Sequence, residues 1–445
     1  MKIIIAGAGA VGTHLAKLLS GEKQDIILMD EDEGKLSAMG SNLDLMTVNL
    51  SPTSINGLKE AGVAGADLFI GVMPDESRNM TACMLATSLG AKKTVARIDN
   101  YEYLLPKHKE FFAKLGVHSL IYPEMLAARD IVDAVKMSWI RQWWEFAGGA
   151  LVLLGTKMRE KAEILNVPLH ELGGRNIPFH IVAIKRGNET IIPRGDDVIK
   201  LNDIVYFTTT KKYIPYIRKI SGKENEADVR NVMIMGGSRI AVRTVQYMPD
   251  YMKAKIIESN IARCNRLTEL VDDGVMVING DGRDIQLLME EGIKNTEAFV
   301  ALTDNSETNI LACLAAKRMG VTKTVAEVEN VDYISMAESL DIGTVINKKF
   351  IAASHIYQMM LDADVSNVKC LTFANADVAE FTVKPGAKIT KQLVKDLGLP
   401  KGATIGGLIR NGEGILVTGN TMIQENDHVV VFCLGMMIKK LEKYF

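Results

Sequence analysis

The strongest constraint on the fold of this chain is an internal duplication. Segments 62–96 and 292–326 carry the same glycine, asparagine, cysteine, alanine and lysine positions at identical spacing. A distal stretch is repeated as well, because GDDVIKLNDIVYF at 195–207 corresponds to GNTMIQENDHVVVF at 419–432. The period is about 225 to 230 residues, far longer than a solenoid repeat. The repeated unit therefore has the size of a pair of domains.

Each half of the chain changes character once along its length. Residues 1–122 alternate short apolar, β-branched runs with stretches of helical pattern. Such alternation is typical of βαβ units, whose right-handed crossovers build a parallel, doubly wound sheet. One helix is expected to begin near Gly9, and another to run from Ser77, as its N-cap, to Gly90. The expected strands are Lys2–Ala6, Ile26–Met29, Leu45–Val48, Leu68–Val72, Thr94–Ile98 and Ser119–Tyr122.

Residues 146–222 have a different pattern, in which glycine, proline and asparagine interrupt short apolar runs. This pattern indicates a small mixed α+β module. Its expected strands are Ile181–Ile184, Thr190–Ile192 and Ile204–Thr208.

Residues 124–146 join these two modules and contain all three tryptophans of the chain. We predict a crossover helix here, because apolar side chains recur at i, i+4 spacing. That row consists of Ile131, Val135, Trp139 and Trp143, with Trp144 beside it. Two interpretations of the row stay open: packing within the chain, and an interface with a partner chain, where large aromatic residues are enriched.

The predicted fold is α/β, with two doubly wound parallel-sheet Rossmann domains, each followed by a small α+β domain. The expected segments are 1–122 (first Rossmann domain), 123–146 (crossover helix), 147–225 (first small domain), 229–347 (second Rossmann domain), 348–364 (second crossover helix) and 365–445 (second small domain).

A glycine-rich loop follows the first predicted strand and opens the first helix. Its residues are Gly7, Ala8, Gly9, Ala10, Val11 and Gly12, a GxGxxG pattern. In this context Gly7 permits a tight turn, Gly9 lets the backbone approach a pyrophosphate, and Gly12 lets the helix pack on the strand. The helix N-terminus supplies unpaired N–H donors to the phosphates. We therefore predict a dinucleotide site at this loop.

Three further positions complete the predicted pocket. Asp30 ends the second strand, where a carboxylate can accept hydrogen bonds from ribose hydroxyls. Its negative charge would repel a 2′-phosphate, so NAD(H) is preferred over NADP(H). Met73-Pro74 lies beyond the fourth strand, and Arg97 ends the fifth, where its guanidinium could reach a phosphate or ribose. A surface ion pair is the alternative role for Arg97.

The second copy of the loop is altered. Its residues are Gly236, Gly237, Ser238, Arg239, Ile240 and Ala241. Gly236 stands at the position of the turn glycine Gly7, whereas Ser238 replaces Gly9 and Ala241 replaces Gly12. Glu258 preserves the ribose acid, but Glu327 stands where the first copy has Arg97 and would repel phosphate. We therefore expect two non-equivalent sites, the second weaker, different in ligand or vestigial.

Composition excludes several classes of function. The 445 residues include 52 Lys and Arg against 54 Asp and Glu, so there is no basic excess for binding nucleic acid. No apolar run has the roughly 18 to 20 residues that span a bilayer. The apolar N-terminus imitates a signal peptide, but a similar segment recurs at 232–242, so the pattern is architectural. Five scattered cysteines without CxxC pairs indicate neither a disulfide framework nor a zinc site and favour a reducing cytosol.

No catalytic constellation is evident in the sequence. A dehydrogenase needs an acid–base group beside the nicotinamide. His170 and His180 lie in the first small module, but the second copy has no histidine at the aligned positions. Ser/His/Asp and metal-ligand patterns are also missing from the sequence. We therefore expect a binding protein that carries out no chemical step.

The tandem order of Rossmann unit, crossover helix and small module resembles the TrkA family, the regulatory subunits of bacterial Trk-type potassium uptake systems, built from RCK (KTN) domains. The resemblance covers essentially the whole chain and rests on IIIAGAGAVG, Asp30, Arg97 and the duplicated distal modules. It implies nucleotide sites at Gly7–Val11, Asp30, Met73-Pro74 and Arg97, and at Gly236–Ile240 and Glu258.

The resemblance also implies ligands, partners and a location. Members bind NAD(H) and adenine nucleotides such as ATP and ADP. They assemble as homo-oligomers, dimers or tetramers, into a ring beneath an integral-membrane potassium transporter subunit of the TrkH type. The expected location is cytoplasmic, peripheral on the inner face of the membrane. The expected function is nucleotide-dependent gating through rearrangement of that ring.

Two other functions stay open at this stage. The chain could be an NAD-dependent oxidoreductase or a Rossmann-type transferase using S-adenosylmethionine. The ribose of either ligand would also favour an acid at the position of Asp30. A pure assembly scaffold would have both pockets empty.

Overall fold

The computed structural model describes residues 1–20, 24–37, 45–172, 177–187, 189–225, 228–360, 365–371, 376–434 and 438–445. The chain divides into two compact units. Unit 1 comprises Met1–Leu126 and Lys348–Asp362, and unit 2 comprises Ala127–Asn347 and Ala363–Phe445. Within the described residues, no helix is both long enough and apolar enough to cross a membrane.

The first Rossmann sheet forms as the sequence predicts. Its strands are β1 (Lys2–Ala6), β2 (Asp25–Asp30), β3 (Met46–Asn49), β4 (Leu68–Gly71), β5 (Lys93–Arg97) and β6 (Ser119–Ile121). All pairings are parallel, in the order β3-β2-β1-β4-β5-β6. The predicted strands are confirmed to within one residue at each end. Ile3, Ile4 and Ile5 are fully buried, as expected of a parallel strand covered on both faces.

Helices cover this sheet. They are α1 (Ala10–Ser20), α2 (Glu33–Ser37), α3 (Ile55–Glu60), α4 (Glu76–Ser88), α5 (Pro106–Lys114) and α6 (Pro123–Lys136). The predicted N-cap of α4 at Ser77 is wrong by two residues, since Asp75 is the N-cap and its carboxylate accepts the N–H groups of Ser77 and Arg78. The predicted stop is confirmed, because Gly90 has a φ of 110° just beyond the helix end.

The predicted crossover helix over 124–146 is wrong in its second half. Helix α6 ends at Lys136, and residues 142–146 form strand β7 (Gln142–Phe146). Trp139 is buried between these elements, whereas Trp143 and Trp144 are consecutive strand residues paired with Leu154 and Leu153. The i, i+4 spacing was misleading, because tryptophans also favour strands and a short aromatic run fits either structure.

The first small module is an antiparallel sheet. Its other strands are β8 (Leu151–Lys157), β9 (His180–Arg186), β10 (Glu189–Ile191) and β11 (Ile204–Thr209), followed by α7 (Ile214–Ile220). The order is β10-β9-β11-β8-β7. The three predicted strands are present, and β7 and β8 are additions that the sequence analysis missed.

The second Rossmann sheet reproduces the first. Its strands are β12 (Asn231–Met235), β13 (Lys253–Glu258), β14 (Met276–Asn279), β15 (Ala298–Ala301), β16 (Lys323–Glu327) and β17 (Thr344–Ile346), in the order β14-β13-β12-β15-β16-β17. Its helices are α8 (Arg239–Tyr247), α9 (Ile261–Leu270), α10 (Ile285–Glu290), α11 (Ser306–Arg318) and α12 (Asp332–Ser339). The duplication is therefore confirmed at the level of topology.

Helix α13 (Lys348–Met360) follows β17 and belongs to unit 1, where it packs against α1. The rings of His14 on α1 and Phe350 on α13 lie 4.0 Å apart, centroid to centroid. Burial, assisted by the charge of Lys17, lowers the pKa of His14 to about 4, so its imidazole is neutral at physiological pH. The second crossover helix was expected over 348–364, and residues 361–364 lie outside the described part of the chain.

The second small module repeats the first in strand order. Its strands are β18 (Val365–Leu371), β19 (Ala376–Thr382), β20 (Ala403–Arg410), β21 (Glu413–Ile415) and β22 (His428–Leu434), followed by α14 (Ile438–Glu442). The order β18-β19-β22-β20-β21 matches β7-β8-β11-β9-β10. The fold is α/β, with two Rossmann units, each followed by a small sheet domain.

The repeated Asn-Asp pair of the small modules has a structural role. Asp203 is buried and accepts two hydrogen bonds from the Arg186 guanidinium, at 3.0 and 2.8 Å. Asp427 is paired in the same way with Arg410, at 2.8 and 2.7 Å. Such two-point Arg–carboxylate pairs tie adjacent strands of each sheet together.

The sheets of the two small modules pack against each other within unit 2. One apolar cluster draws on both, with Leu153, Tyr206 and Val182 from the first and Val378, Val430 and Phe432 from the second. The contact is close, because the Thr208 hydroxyl donates a hydrogen bond of 2.6 Å to the Gly406 carbonyl. A methyl group built at Gly414 would lie 2.1 Å from the Ala150 carbonyl oxygen. The two halves of the duplication therefore share one core here.

We expect Gly414→Ala to destabilise unit 2 by about 1–3 kcal/mol, the usual cost of overpacking a filled interface. The added methyl must displace backbone, since the atom it meets is a carbonyl oxygen. Thermal unfolding followed by circular dichroism would measure the loss. Gly274→Ala is the control, since no heavy atom lies within 4 Å of its methyl position. Equal unfolding temperatures for the two variants would contradict the packing described here.

Candidate nucleotide site

The glycine loop lies between β1 and α1, and its three glycines have three different surroundings. Gly7 has a φ of 115°, and a methyl group there would lie 3.0 Å from the Met73 amide nitrogen. A methyl group at Gly12 would lie 1.8 Å from the Gly7 carbonyl oxygen. At Gly9 nothing lies within 4 Å of the methyl position. Gly7 and Gly12 are thus needed for the fold, whereas Gly9 leaves space for a ligand.

The Asp30 side chain is hydrogen-bonded to this loop. One carboxylate oxygen accepts the Ala8 N–H at 2.7 Å, and the other accepts the Asp32 N–H at 3.0 Å. The side chain is buried at the carboxyl end of β2. Each carboxylate oxygen has two lone pairs, so each retains one for a ribose hydroxyl. The predicted acid therefore lies beside the predicted phosphate loop.

The strand-edge loop at Met73-Pro74 is held by Asn79, a residue that the sequence analysis gave no role. The Asn79 amide oxygen accepts the Met73 N–H at 2.8 Å, and its amide nitrogen donates to the carbonyl oxygens of Met73 and Arg97 at 2.9 and 3.0 Å. Asn79 is fully buried. It therefore fixes the ends of β4 and β5 at the mouth of the site. Its repetition as Asn309 was the signal that could have identified it.

Arg97 is only partly available for a ligand. Its guanidinium lies 3.3 Å from the Asp99 carboxylate, and 21% of the side chain is exposed. Its buried Nε has no hydrogen-bond partner among the described residues. Glu76 orders the segment behind it, since one carboxylate oxygen accepts the N–H groups of Asp99 and Asn100. Both roles expected for Arg97 thus remain compatible with its position.

Arg78 is a further charged residue near Asp30 that the sequence analysis missed. Its guanidinium pairs with Glu31 at 2.8 Å and also contacts the Ser51 hydroxyl at 3.4 Å. The hydrogen bond to Glu31 raises the pKa of Arg78. The partners are 47 residues apart in sequence, so no local pattern could reveal the pair.

The second loop has the same frame but a different helix start. Gly236 has a φ of 100°, and Glu258 accepts the Gly237 N–H at 2.8 Å, as Asp30 accepts that of Ala8. Ser238, however, caps α8, because its hydroxyl accepts the Ala241 N–H at 3.3 Å. A helix N–H that could serve a phosphate is thereby already used. The structure accordingly makes the two loops non-equivalent.

Glu258 is held in its charged form. Burial raises the pKa of Glu258, but the N–H groups of Asn260 and Gly237 and the charge of Arg263 outweigh burial and place it below its ordinary value. Asn260 donates at 2.8 Å, and Arg263 lies 3.4 Å away. At neutral pH the Glu258 carboxylate can therefore accept hydrogen bonds but cannot donate them.

A pH dependence follows from the lowered pKa. A carboxyl group whose folded pKa lies below its unfolded value stabilises the fold fully above the unfolded value of about 4.5, and that contribution is lost as pH falls through the folded pKa. We expect Glu258→Gln to unfold at a lower temperature than the wild type at pH 7. The difference should shrink as pH falls below about 4.5. Thermal unfolding from pH 7 to pH 3 tests this; a constant difference would contradict it.

Removing Asn79 should destabilise the first Rossmann unit. Asn79→Ala leaves the Met73 N–H and two carbonyl groups without their partner, at a cost of about 1–3 kcal/mol. Asn309→Ala should have a similar effect, since Asn309 bridges Thr303 and Glu327 in the second copy. Exposed Asn295→Ala is the control and should leave the unfolding temperature unchanged. An Asn79→Ala variant that unfolds at the same temperature as the wild type would refute this role.

Comparison with known proteins identifies the domains. The TrkA-N domain model matches residues 3–123 and 232–348. The TrkA-C domain model matches residues 158–222 and 378–445. The matches alternate along the chain, in agreement with the tandem duplication.

Relatives match over the full length. A protein of Halomonas elongata named Trk system potassium uptake protein TrkA is 31% identical over 453 residues, covering 100% of this chain and 98% of that protein. An Archaeoglobus fulgidus protein named Trk system potassium uptake protein TrkA homolog is 28% identical, with complete coverage of both chains.

Solved structures share the fold. The structure titled GsuK channel bound to NAD superimposes with a TM-score of 0.60 at 15% identity, over 100% of this chain and 78% of that chain. The domain models, the full-length relatives and the duplicated topology agree, and the chain belongs to the TrkA family.

Proposed function

We propose that this protein is a nucleotide-sensing regulatory subunit of a membrane potassium transporter, and that it is not an enzyme. The observation that carries the proposal is the open space at Gly9, bordered by Asp30 and by the N-terminus of α1. The names of the full-length relatives, which are potassium uptake proteins, support the transport role. The proposed division keeps the four domains set out from the sequence, but the first crossover helix ends at Lys136 and strand Gln142–Phe146 belongs to the first small domain.

NAD(H) is the ligand we propose for the first loop. A pyrophosphate beside Gly9 would accept hydrogen bonds from the N-terminal N–H groups of α1 and meet its partial positive charge. Asp30 would accept hydrogen bonds from the adenosine ribose and disfavour a 2′-phosphate. Arg97, at the end of β5, would supply charge to the phosphates or ribose. NAD(H) bound here would report the state of the cell, with no bond made or broken.

The second loop is proposed to bind a different nucleotide, or to bind more weakly. Gly236, Gly237, Ser238, Arg239 and Ile240 would line it, with Glu258 as the ribose acid. Ser238 uses one helix N–H, and the buried carboxylate of Glu327 replaces Arg97. Both differences remove favourable interactions with a diphosphate. ATP and ADP are the ligands to compare with NADH.

The proposed partner is an integral-membrane potassium transporter subunit of the TrkH type. This protein would bind it as a homo-oligomer, dimer or tetramer, on the cytoplasmic face of the membrane. A ligand can shift such an assembly only through unequal affinity for its two states. Coupling of about 1–3 kcal/mol would change an equilibrium roughly 5- to 150-fold. Helix α1 is a suitable transmitter, since its N-terminus forms the loop and its side packs on α13.

Gly9→Asp should abolish NADH binding, because a carboxylate would occupy the place of the pyrophosphate. The fold should be preserved, since nothing lies within 4 Å of the new methylene. Titration calorimetry with NADH measures the affinity. Gly65→Asp is the matched control, being the same substitution at another open glycine of unit 1, and should bind as the wild type does. NADH binding retained by Gly9→Asp would refute the assigned pocket.

The regulatory role has its own test. Tagged full-length protein would be isolated from detergent-solubilised membranes of its own host, with and without NADH, and its partners identified. Recovery of a polytopic potassium transporter that is lost or gained with NADH supports the proposal. Steady-state oxidation of NADH by the purified protein with a small carbonyl substrate would instead establish an oxidoreductase.

A further inference from the structure

Unit 2 contains a cavity of about 370 Å³ whose wall is strongly basic. It is formed by the start of the first small sheet together with α11, β16 and β17 of the second Rossmann unit. Six cationic side chains line it: Arg141, Lys157, Arg159, Lys223, Lys317 and Lys323. The cavity involves neither glycine loop, so the nucleotide sites do not account for it.

Asp341 is the carboxylate at the centre of this charge. The guanidinium groups of Arg141 and Arg159 both pair with it. The ammonium groups of Lys157 and Lys317 lie 3.0 and 3.3 Å from its oxygens. Lys317 also donates to the Asp341 backbone carbonyl at 2.5 Å.

One negative charge therefore faces four positive charges. Arg141 and Lys157 are each only 16% exposed, and Lys317 is 29% exposed, so water screens their repulsion incompletely. Burial, with the nearby charges of Arg141 and Arg159, lowers the pKa of both Lys157 and Lys317 despite the hydrogen bonds that both donate to Asp341. The cluster carries an excess of about three positive charges that an anion would neutralise.

The fold does not require the charges of Lys317 and Asp341, as the duplicated copy shows. In the register of the repeat, Lys317 corresponds to Thr87 and Asp341 to Gly116. Both backbone positions are left-handed, with φ values of 55° at Asp341 and 90° at Gly116. Thr87 donates to the Gly116 carbonyl at 2.6 Å, the same contact that Lys317 makes with Asp341. An uncharged side chain thus serves the structural role in one copy, and a lysine replaces it in the other.

The small sheets differ in the same way. Lys157 ends β8 and pairs with Ile204 of β11, whereas the aligned Thr382 ends β19 and pairs with His428 of β22. At these two positions, one on each wall of the cavity, a lysine stands where the other copy has a threonine.

We propose that this cavity is a binding site for a small, multiply charged phosphate anion, of the pyrophosphate or nucleoside polyphosphate class. Arginine forks and lysine ammonium groups are the side chains that bind phosphoryl oxygens most strongly. The volume accommodates a diphosphate together with water. Asp341 holds the cations in place and limits their affinity, since its charge competes with the ligand.

Occupation of the site would join two modules. Arg141, Lys157 and Arg159 come from the small-sheet side, and Lys317 and Lys323 come from the second Rossmann unit. A bound anion would therefore hold the first small sheet against the second Rossmann unit more firmly. This effect is separate from nucleotide binding at Gly9.

The test is titration calorimetry of the full chain with inorganic pyrophosphate, in a buffer free of phosphate. Every protein compared carries Gly9→Asp, which disables the first loop. Lys317→Thr and Lys157→Thr, which introduce the residues of the other copy, should each weaken binding about 10-fold, since each removes a charged hydrogen-bond donor. Arg283→Gln, which removes a cation from an exposed ion pair with Asp281, is the matched control and should bind unchanged. ATP and inorganic phosphate, titrated in the same way, distinguish a nucleotide from a free diphosphate or monophosphate.

Asp341→Asn separates this proposal from a purely structural ion cluster. Asparagine tolerates the left-handed backbone, and loss of the carboxylate should raise pyrophosphate affinity about 10-fold. Pyrophosphate should also restore any loss of unfolding temperature in this variant. Unchanged or weaker affinity of Asp341→Asn, or equal affinity of Lys317→Thr and Arg283→Gln, would overturn the proposal.

Discussion

The hydrogen bond between the Ala8 N–H and the Asp30 carboxylate is the interaction on which the first site depends. It joins the loop after β1 to the end of β2, so that the start of α1 and the Asp30 carboxylate are held beside each other. The Gly237–Glu258 bond repeats it at 2.8 Å. A preorganised frame of this kind reduces the entropy lost on binding. It also explains why an acid is retained in a copy whose loop has otherwise diverged.

Divergence between the copies has changed the start of the helix after the glycine loop while preserving topology. Both sheets have the same strand order, and the buried asparagines 79 and 309 make matching bonds. What differs is what a phosphate would meet: Gly9 leaves space, whereas Ser238 uses a helix N–H for its own cap. Because the capping bond and a phosphate would compete for the same donors, the cap that stabilises α8 would weaken anion binding at this loop.

The sequence was sufficient for features that arise from local patterns. The strands, the turn at Gly7 and the acid at Asp30 follow from periodicity and from the spacing of glycines. It was insufficient where two structures fit one pattern, as for Trp143 and Trp144, which form a strand where a helix was expected. Long-range pairings could not be predicted either. Arg141 and Asp341 are 200 residues apart in sequence, and only the folded sheets bring them together.

The basic cavity and helix α13 are close along the chain. Gly343 and Thr344, at the start of β17, line the cavity, and α13 begins directly after β17 and packs on α1. One residue, Asn347, separates β17 from α13, and its amide is bonded to the Val328 carbonyl at 2.7 Å. If anion and nucleotide bias the same displacement of α13, linkage requires that each change the affinity of the other by the same factor.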